Sequence, residues 1–223
     1  MKKKTIMKQI LFMICMIALA SCNNINRAEE QEEEVVDCCD PHVTLYLQPY
    51  ADFSQDEAKK LSKHIKEEFV TAGVDVAVSD VVVLPSKELP QNAYYAKRNR
   101  YLASILLNDL LTAKPKYDEY VIGLTHKDIS TKIHGYDNYG IMGLTRLNHH
   151  ASIVSDYRSK NKAFYKTIIH EFGHGWYDFN HCKDPNCIMC DYQYSNKQYK
   201  KYYVCDEHAA MNPSEYLRKH PQR

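Results

Sequence analysis

The sequence predicts an α/β fold, because strand-like and helix-like patterns alternate along the chain from Val43 onward. Residues 43–47 alternate between apolar and polar side chains, as a half-buried strand does. Between Ser54 and Gly73 apolar residues recur instead every three or four positions, which is the helical period. A chain of 223 residues without internal repeats suits one domain with a sizeable core.

The individual elements follow from the same periodicities and from their end signals. Ser54 and Glu57 have the spacing of a capping box at the start of the first helix, and Gly73 fits its end. Short apolar runs predict further strands at residues 74–78, 81–84, 119–125, 140–146 and 151–155. Helical spacing predicts two more helices, at about residues 96–111 and 162–176.

Residues 1–21 have the pattern of a cleaved export signal. Four lysines precede an apolar run from Ile10 to Ala20, which is too short for a membrane-spanning helix. The run leads into Leu-Ala-Ser-Cys at residues 19–22, which resembles the bacterial lipobox, so we expect cleavage before Cys22 and acylation of that residue. An ordinary cleaved signal is the alternative. The lipobox predicts a lipoprotein anchored in the membrane of the bacterial cell envelope, on its periplasmic or surface face.

A flexible acidic tether is predicted to follow at residues 22–41, because few apolar groups are present there to offset the cost of ordering the chain. The folded domain is predicted to span residues 42–218. Removing residues 1–21 takes away four lysines and no acidic residue, which changes the formal net charge from +1 to −3. A protein with this charge lacks the extended basic surface that nucleic acid requires, so no nucleic-acid partner is expected.

The third predicted helix carries the sequence His170-Glu171-Phe172-Gly173-His174. Residues four apart lie on one face of a helix, so the two imidazoles can reach one zinc ion while Glu171 stands beside it. Phe164, Ile168 and Phe172 form an apolar stripe on roughly the opposite side, which allows the helix to bury one face and offer the other. Chance occurrence of the motif, or a pair of satisfied core histidines, is the alternative interpretation.

Further candidate metal ligands follow this helix: His181, Cys182, Cys187, Cys205 and His208, with Met189 among them. The arrangement resembles the archaemetzincins, in which His-Glu-x-x-His is followed by a third histidine next to a cysteine, then by Cys-x-Met and a later Cys-x-x-Cys. Upstream blocks match the family in the same order: Leu89-Pro90, Ala93-Tyr94, Arg98, Tyr101 and residues 121–125, 140–146 and 152–158. The resemblance covers nearly everything from Val43 onward.

The resemblance implies a metzincin-like single domain with a twisted mixed sheet, an active-site helix and a small zinc-stapled C-terminal subdomain. It also implies a zinc metallopeptidase that hydrolyses peptide bonds in peptides or proteins, with zinc-bound water as the nucleophile and Glu171 as the general base. Two zinc ions per chain are expected. The implied ligands are His170, His174 and His181 for the catalytic ion, and Cys182, Cys187, Cys205 and His208 for a structural ion. Met189 would pack beneath the histidines in the turn that is typical of metzincins.

Two departures from the family pattern bear on these expectations. The family has its third histidine six residues after the second and a glycine three after it, whereas here those places hold Asn180 and Tyr177. His181 is seventh, so the chain must turn back after the helix, with Gly175, Asp178 or Asn180 in the left-handed conformation. Asn180 or water is the alternative to His181 as third ligand. The second departure is His208, which replaces the family's last cysteine in the structural set.

Several cysteines and tyrosines have less definite assignments. Cys190 lies outside the proposed ligand sets and could compete for the metal. It could instead pair with another cysteine, and disulfides are an alternative to the metal site because exported proteins meet oxidising conditions. The adjacent Cys38 and Cys39 have no assigned role, and Tyr192 and Tyr194 are candidate oxyanion donors.

The function has two alternatives besides the peptidase. One is a catalytically weak or inactive zinc-binding envelope lipoprotein, and the other is a disulfide-stabilised surface adhesin without metal. Glu171 favours the enzyme, because a glutamate beside a metal adds nothing to a purely structural site. A peptide or protein substrate and a monomer are expected, whereas exo or endo cleavage is left open.

Overall fold

The computed structural model describes residues 42–72, 77–113, 115–133, 135–159, 164–191 and 204–210. These residues belong to a single unit that spans Cys39–Arg223. Several predicted features lie outside the described residues: the leader, the tether with Cys22, Cys38 and Cys39, the helix stop at Gly73, residues Tyr192 and Tyr194, and the domain end at residue 218.

The described residues form nine strands and four α-helices, besides short 3₁₀ turns, which confirms the α/β class. The strands are β1 (His42–Pro49), β2 (Ala77–Val83), β3 (Tyr94–Tyr95), β4 (Arg100–Leu102), β5 (Glu119–Thr125), β6 (Ile129–Ile133), β7 (Tyr136–Ile141), β8 (Gly143–Arg146) and β9 (Ala151–Ser155). The helices are α1 (Gln55–Thr71), α2 (Ala103–Leu110), α3 (Phe164–Tyr177) and α4 (Asp206–Ala209). None of these helices is long and apolar enough to cross a membrane.

The main sheet is mixed and has the strand order β2-β1-β5-β9-β8. Its first four strands are parallel to one another, whereas the edge strand β8 runs antiparallel to β9. A smaller sheet has the order β3-β4-β6-β7. The mixed sheet agrees with the expected architecture, and β8 contacts the motif helix α3 through Gly143 and Thr145.

Alternate residues of the central strand β5 pack into two hydrophobic clusters. Tyr120, Ile122 and Leu124 belong to the cluster that contains buried residues of α1 and α3, and Val121 belongs to the cluster built around α2. This division follows from the two-residue side-chain period of a strand. The ring of Phe172 in α3 lies 4.8 Å from the ring of Tyr120 in β5. This contact packs the motif helix directly against the sheet.

The strongest sequence signals are confirmed. The capping box forms as predicted, since the Glu57 N–H donates to Ser54 Oγ at 3.2 Å and the Ser54 N–H donates to Glu57 Oε2 at 3.0 Å. The predicted strands at residues 119–125 and 151–155 coincide with β5 and β9.

Two of the predicted strands, at residues 74–78 and 81–84, are in the structure a single strand over the described part, Ala77–Val83. Val78 pairs with Val43 and Asp80 pairs with Thr44, so Ser79 is an extra residue on this edge strand. A bulge of this kind accommodates the polar Ser-Asp step without ending the strand.

The prediction of one strand at residues 140–146 is wrong. Gly140 and Ile141 pair with β6 of the small sheet, whereas Gly143 pairs with Val154 of the main sheet. Between them the Met142 carbonyl accepts a hydrogen bond from the Ser155 N–H at 2.7 Å. The chain therefore changes sheets at Met142, which continuous apolar periodicity cannot reveal.

The helix predicted at about residues 96–111 begins later, at Ala103. Asn99 adopts a left-handed conformation with φ 50°, which ends the preceding 3₁₀ turn. Arg100 then donates from Nε to Asp128 Oδ2 at 2.7 Å, and Tyr101 and Leu102 of β4 pair with β6. Tertiary pairing overrides helical propensity over this stretch.

Candidate metal centres

Three histidines from α3 and the chain after it bring their rings to one point. The Nε2 atoms of His170, His174 and His181 lie 3.1 Å from one another in each pair. His170 and His174 share a face of α3 because they are four residues apart. This is the grouping that the motif predicts, and it includes the third histidine.

In two of the three imidazoles, a hydrogen bond at Nδ1 determines that Nε2 is the nitrogen available to bind a metal ion. His170 Nδ1 lies 2.8 Å from the Ile188 carbonyl oxygen, and His174 Nδ1 lies 2.5 Å from the Phe179 carbonyl oxygen. A carbonyl only accepts, so each Nδ1 carries the proton and each Nε2 presents a lone pair. Backbone carbonyls commonly orient metal-binding histidines in this way.

Burial also keeps these two imidazoles neutral. It lowers the pKa of His170 to about 4 and that of His174 to about 4, because the charged form is poorly solvated there. Neutral imidazole is the form that binds a metal ion, so both rings are ready as ligands at neutral pH.

The turn after α3 delivers His181 to this point. Helix α3 ends at Tyr177, and Asp178 adopts the left-handed conformation with φ 57°. Of the three candidates for that position, Asp178 is therefore the one used. The Phe179 N–H then donates to the Gly173 carbonyl at 3.1 Å and folds the chain back over the helix end.

Asn180 does not join the three imidazoles. Its side chain is exposed, and its carbonyl oxygen accepts a hydrogen bond from His208 Nε2 at 2.9 Å. The geometry therefore favours His181 over Asn180 as the third group, despite the extra residue in the turn.

Glu171 lies beside the three imidazoles with its carboxyl held from strand β8. Thr145 Oγ1 lies 2.7 Å from Glu171 Oε2 and 2.8 Å from the Glu171 carbonyl oxygen. A Cβ at Gly143 would lie 2.5 Å from Glu171 Oε1, so only glycine leaves room for the carboxyl here. Burial raises the pKa of Glu171, and the hydrogen bond from Thr145 offsets part of that effect.

A chain of hydroxyl groups lies behind Glu171. Tyr120 Oη lies 2.6 Å from Ser152 Oγ, which lies 2.9 Å from Thr145 Oγ1. Each hydroxyl can donate to the next, so the chain can end with Thr145 donating to the carboxylate. Sequence reasoning did not find these residues, because Thr145 and Ser152 are ordinary strand positions in the pattern and only strand pairing brings them to α3.

A second group of candidate ligands lies next to the first. The Sγ atoms of Cys182, Cys187 and Cys205 and one ring nitrogen of His208 lie within 4.8 Å of one another. His208 Nδ1 is 3.2 Å from Cys205 Sγ and 3.4 Å from Cys187 Sγ. Burial raises the pKa of the Cys187 thiol, so a bound cation is what would favour thiolates here.

The remaining cysteine and the methionine have distinct places. Cys190 lies outside the second group, and its Sγ is 3.4 Å from the Asp191 carbonyl oxygen. All four described cysteines are free, so the disulfide alternative finds no pair among them. Met189 is fully buried against α3, and a Cβ at Gly173 would lie 2.7 Å from its Sδ.

Both groups suit zinc in their donor chemistry and spacing. Tetrahedral zinc with Zn–N bonds of about 2.0–2.1 Å has nitrogen ligands about 3.3 Å apart, close to the 3.1 Å between the Nε2 atoms. For a Cys₃His site the expected separation of sulfur and nitrogen is about 3.6 Å, near the 3.2 and 3.4 Å of His208. In the described part of the chain these are the two groups with metal-ligand geometry.

Comparison with known proteins supports the resemblance seen in the sequence. No protein-family model matches the chain. Over 109 residues, 46% of this chain, the sequence is 32% identical to an archaemetzincin of Methanopyrus kandleri. The match spans 59% of the length of that relative.

Solved structures show the same fold. An archaemetzincin from Methanopyrus kandleri is 24% identical, with TM-score 0.60, 80% of this chain and 97% of that chain covered. An archaemetzincin from Archaeoglobus fulgidus complexed with malonate is 23% identical, with TM-score 0.57, and the match covers 76% of this chain and 100% of that chain. A zinc-dependent peptidase from Methanocorpusculum labreanum is 20% identical, with TM-score 0.53, at 75% and 98% coverage. The resemblance and the fold are thereby confirmed.

Proposed function

We propose that this archaemetzincin homologue is a zinc-dependent peptidase that hydrolyses peptide bonds in peptides or proteins. The observation that carries the proposal is the convergence of three imidazole Nε2 atoms at 3.1 Å beside the buried carboxyl of Glu171. Three neutral nitrogen ligands leave a tetrahedral zinc ion one further position, which is typical of catalytic sites. His170, His174 and His181 would hold this ion.

Zinc at this position would supply a Lewis acid that activates a water molecule near neutral pH and polarises a peptide carbonyl. Glu171 would take the proton from the attacking water and deliver it to the leaving nitrogen. Thr145 donates to one carboxyl oxygen, Oε2, and this leaves Oε1 free to accept that proton. The pKa of Glu171, raised by burial, suits a group that must both accept and return a proton.

The edge strand β8 is a suitable place for an extended substrate. It is the strand at one edge of the main sheet, and two of its residues, Gly143 and Thr145, contact Glu171. Peptides commonly add to an exposed sheet edge as a further strand. A peptide that paired with β8 would bring its backbone carbonyl next to the carboxyl that handles the proton.

The substitution Glu171→Gln tests the proposal. It keeps the shape of the side chain but removes the base, so we expect peptide hydrolysis to fall by at least about a hundredfold while the zinc content is unchanged. Glu57→Gln, the same change in the exposed capping box of α1, is the matched control and should retain activity. Equal rates for Glu171→Gln and the parent would show that Glu171 is not the base.

Zinc analysis and a peptide-library digest of the parent protein distinguish the peptidase from the two alternative functions. A parent protein that binds zinc at the three histidines but cleaves nothing in a peptide library would support the catalytically weak or inactive zinc-binding lipoprotein. A parent that binds no zinc would support the adhesin. The peptidase requires both bound zinc and cleavage.

The second zinc ion and the membrane anchor are also proposals. Cys182, Cys187, Cys205 and His208 would hold the second ion in a closed site, since the thiols and the imidazole are largely buried. The lipobox at residues 19–22 supports acylation of Cys22 and anchoring in the bacterial envelope.

Cys22→Ser should release the protein from the membrane fraction, because acyl chains on Cys22 are the proposed anchor. The expected result in cell fractionation is a shift from the pellet to the soluble fraction, with Cys15→Ser as the matched control that stays in the pellet. Retention of the Cys22→Ser protein in the membrane would overturn the lipoprotein proposal.

A further inference from the structure

We infer that His208 couples the two metal groups: its Nδ1 serves the Cys₃His group, while its Nε2–H positions the backbone that carries His181. The inference rests on the proposed function, since it assumes that both groups bind metal. It assigns to His208 a positioning role for the three-histidine group, in which it is not itself a member.

The two nitrogens of His208 face different partners. Nδ1 points into the thiol group, 3.2 Å from Cys205 Sγ, and Nε2 lies 2.9 Å from the Asn180 carbonyl oxygen. Because the carbonyl can only accept, Nε2 carries the proton and Nδ1 presents its lone pair to the thiol group. His208 as a whole is 3% exposed, so water competes little for either contact.

The backbone between Phe179 and Cys182 connects the two groups residue by residue. The Phe179 carbonyl accepts from His174 Nδ1, and the Asn180 carbonyl accepts from His208 Nε2. His181 then belongs to the three-histidine group and Cys182 to the thiol group. A displacement of this segment would therefore disturb both groups together.

His181 depends on this backbone more than the other two histidines do. Its side chain is 48% exposed, and its Nδ1 is 4.0 Å from Asp191 Oδ2, longer than a good hydrogen bond. His170 and His174, in contrast, are fixed by an α-helix and by short bonds to carbonyls. The segment is held on both sides of His181: the Asn180 carbonyl before it accepts from His208, and the Cys182 N–H after it donates to the Met189 carbonyl at 3.0 Å. The contact with His208 is the one of these that links the segment to a side chain of the thiol group.

A cysteine at position 208 would not provide this coupling. A thiolate offers a single atom, which cannot bind a metal ion in the thiol group and also donate a proton to the Asn180 carbonyl. The imidazole has two nitrogens on opposite sides of a rigid ring and can do both. The Phe179 ring, 4.8 Å from that of His208, holds the imidazole in this orientation.

The substitution His208→Cys tests the coupling, with Co²⁺ as the probe. Four thiolates should still bind one Co²⁺ ion, visible as intense sulfur-to-cobalt charge-transfer absorption. We expect the affinity of the three-histidine group for Co²⁺ to fall by at least about tenfold, the usual effect of losing an outer contact to a metal site. Glu207→Ala, a change at an exposed neighbour in α4, is the control and should leave both affinities unchanged. Equal affinity in His208→Cys and the parent would overturn the inference.

A measurement on the parent protein keeps the inference testable if His208→Cys does not fold. In the metal-loaded, nitrogen-labelled protein, the His208 Nε2–H proton should exchange slowly with solvent in nuclear magnetic resonance spectra. Free exchange of that proton would overturn the inference. These readouts do not involve hydrolysis, so a parent that binds Co²⁺ at both groups but cleaves no peptide would refute the proposed function alone.

Discussion

The three-histidine group and the Cys₃His group are adjacent in sequence but differ in how far their side chains are exposed to solvent. His181 and Cys182 are consecutive, yet the side chain of His181 is 48% exposed, whereas Cys187 and His208 are 2% and 3% exposed. An ion bound by the histidines would be accessible to substrate, whereas an ion bound by the thiols would be closed off by protein. The difference indicates that one group is suited to chemistry and the other to holding the chain in place.

Removing His181 should have the largest effect on the rate of peptide hydrolysis. His181→Ala deletes one of three ligands, so we expect loss of zinc from the histidine group and a fall in peptide hydrolysis of at least about a hundredfold. The thermal midpoint should change little, because the thiol group remains. Zinc analysis, peptide assays and thermal unfolding measure the three quantities.

Asn180→Ala is the matched control for this experiment, since the Asn180 side chain is exposed and only its backbone carbonyl makes the contact with His208. It should retain zinc and activity. The opposite ranking of these two variants would make Asn180 the ligand. Two zinc ions and full activity in His181→Ala would refute the three-histidine site.

Removing Cys182 should affect stability as well as metal content. Cys182→Ser deletes a ligand of the buried group, and metal binding at a closed site contributes directly to the free energy of folding. We expect one zinc ion fewer and a thermal midpoint lower by at least about 5 °C. Cys190→Ser, which removes a thiol outside the group, should behave like the parent. A Cys182→Ser protein as stable as the parent would contradict the structural role of the second ion.

The smallest expected effect concerns the orientation of Glu171 beside the three-histidine group. Thr145→Val removes the hydroxyl that lies 2.7 Å from Glu171 Oε2 but keeps the side-chain volume, so we expect kcat to fall by about tenfold. KM and zinc content should not change. Thr145→Ser restores a hydroxyl and should recover most of the rate. An unchanged kcat in Thr145→Val would show that the carboxyl needs no support from β8.

Local signals in the sequence were sufficient for part of the fold and for a set of candidate members of both groups. The capping box of Ser54 and Glu57 and the strand β5 form as predicted, because each depends on residues within a few positions of one another. The structure also brings together the residues that the motif and the family resemblance indicate. Their roles as ligands stay predictions for the experiments above.

Other parts of the fold depend on contacts between distant residues. The late start of α2 follows from the pairing of Tyr101 and Leu102 with β6, and residues 140–146 are divided between two sheets at Met142. Periodicity describes which face of a segment is apolar but not which sheet the segment joins, so neither feature could be read from the pattern.

The sequence by itself determined the types of candidate ligand, their spacing on α3 and the alternation of helix and strand, since these are properties of short stretches of chain. Only the tertiary structure decided that Asp178 turns the chain, that His181 rather than Asn180 reaches the other two imidazoles, and that Thr145 supports Glu171. The physical reason is that these positions depend on backbone hydrogen bonds and strand pairing over many residues. Ile188 holds His170, Phe179 holds His174, and the pairing of β8 with β9 sets the place of Thr145.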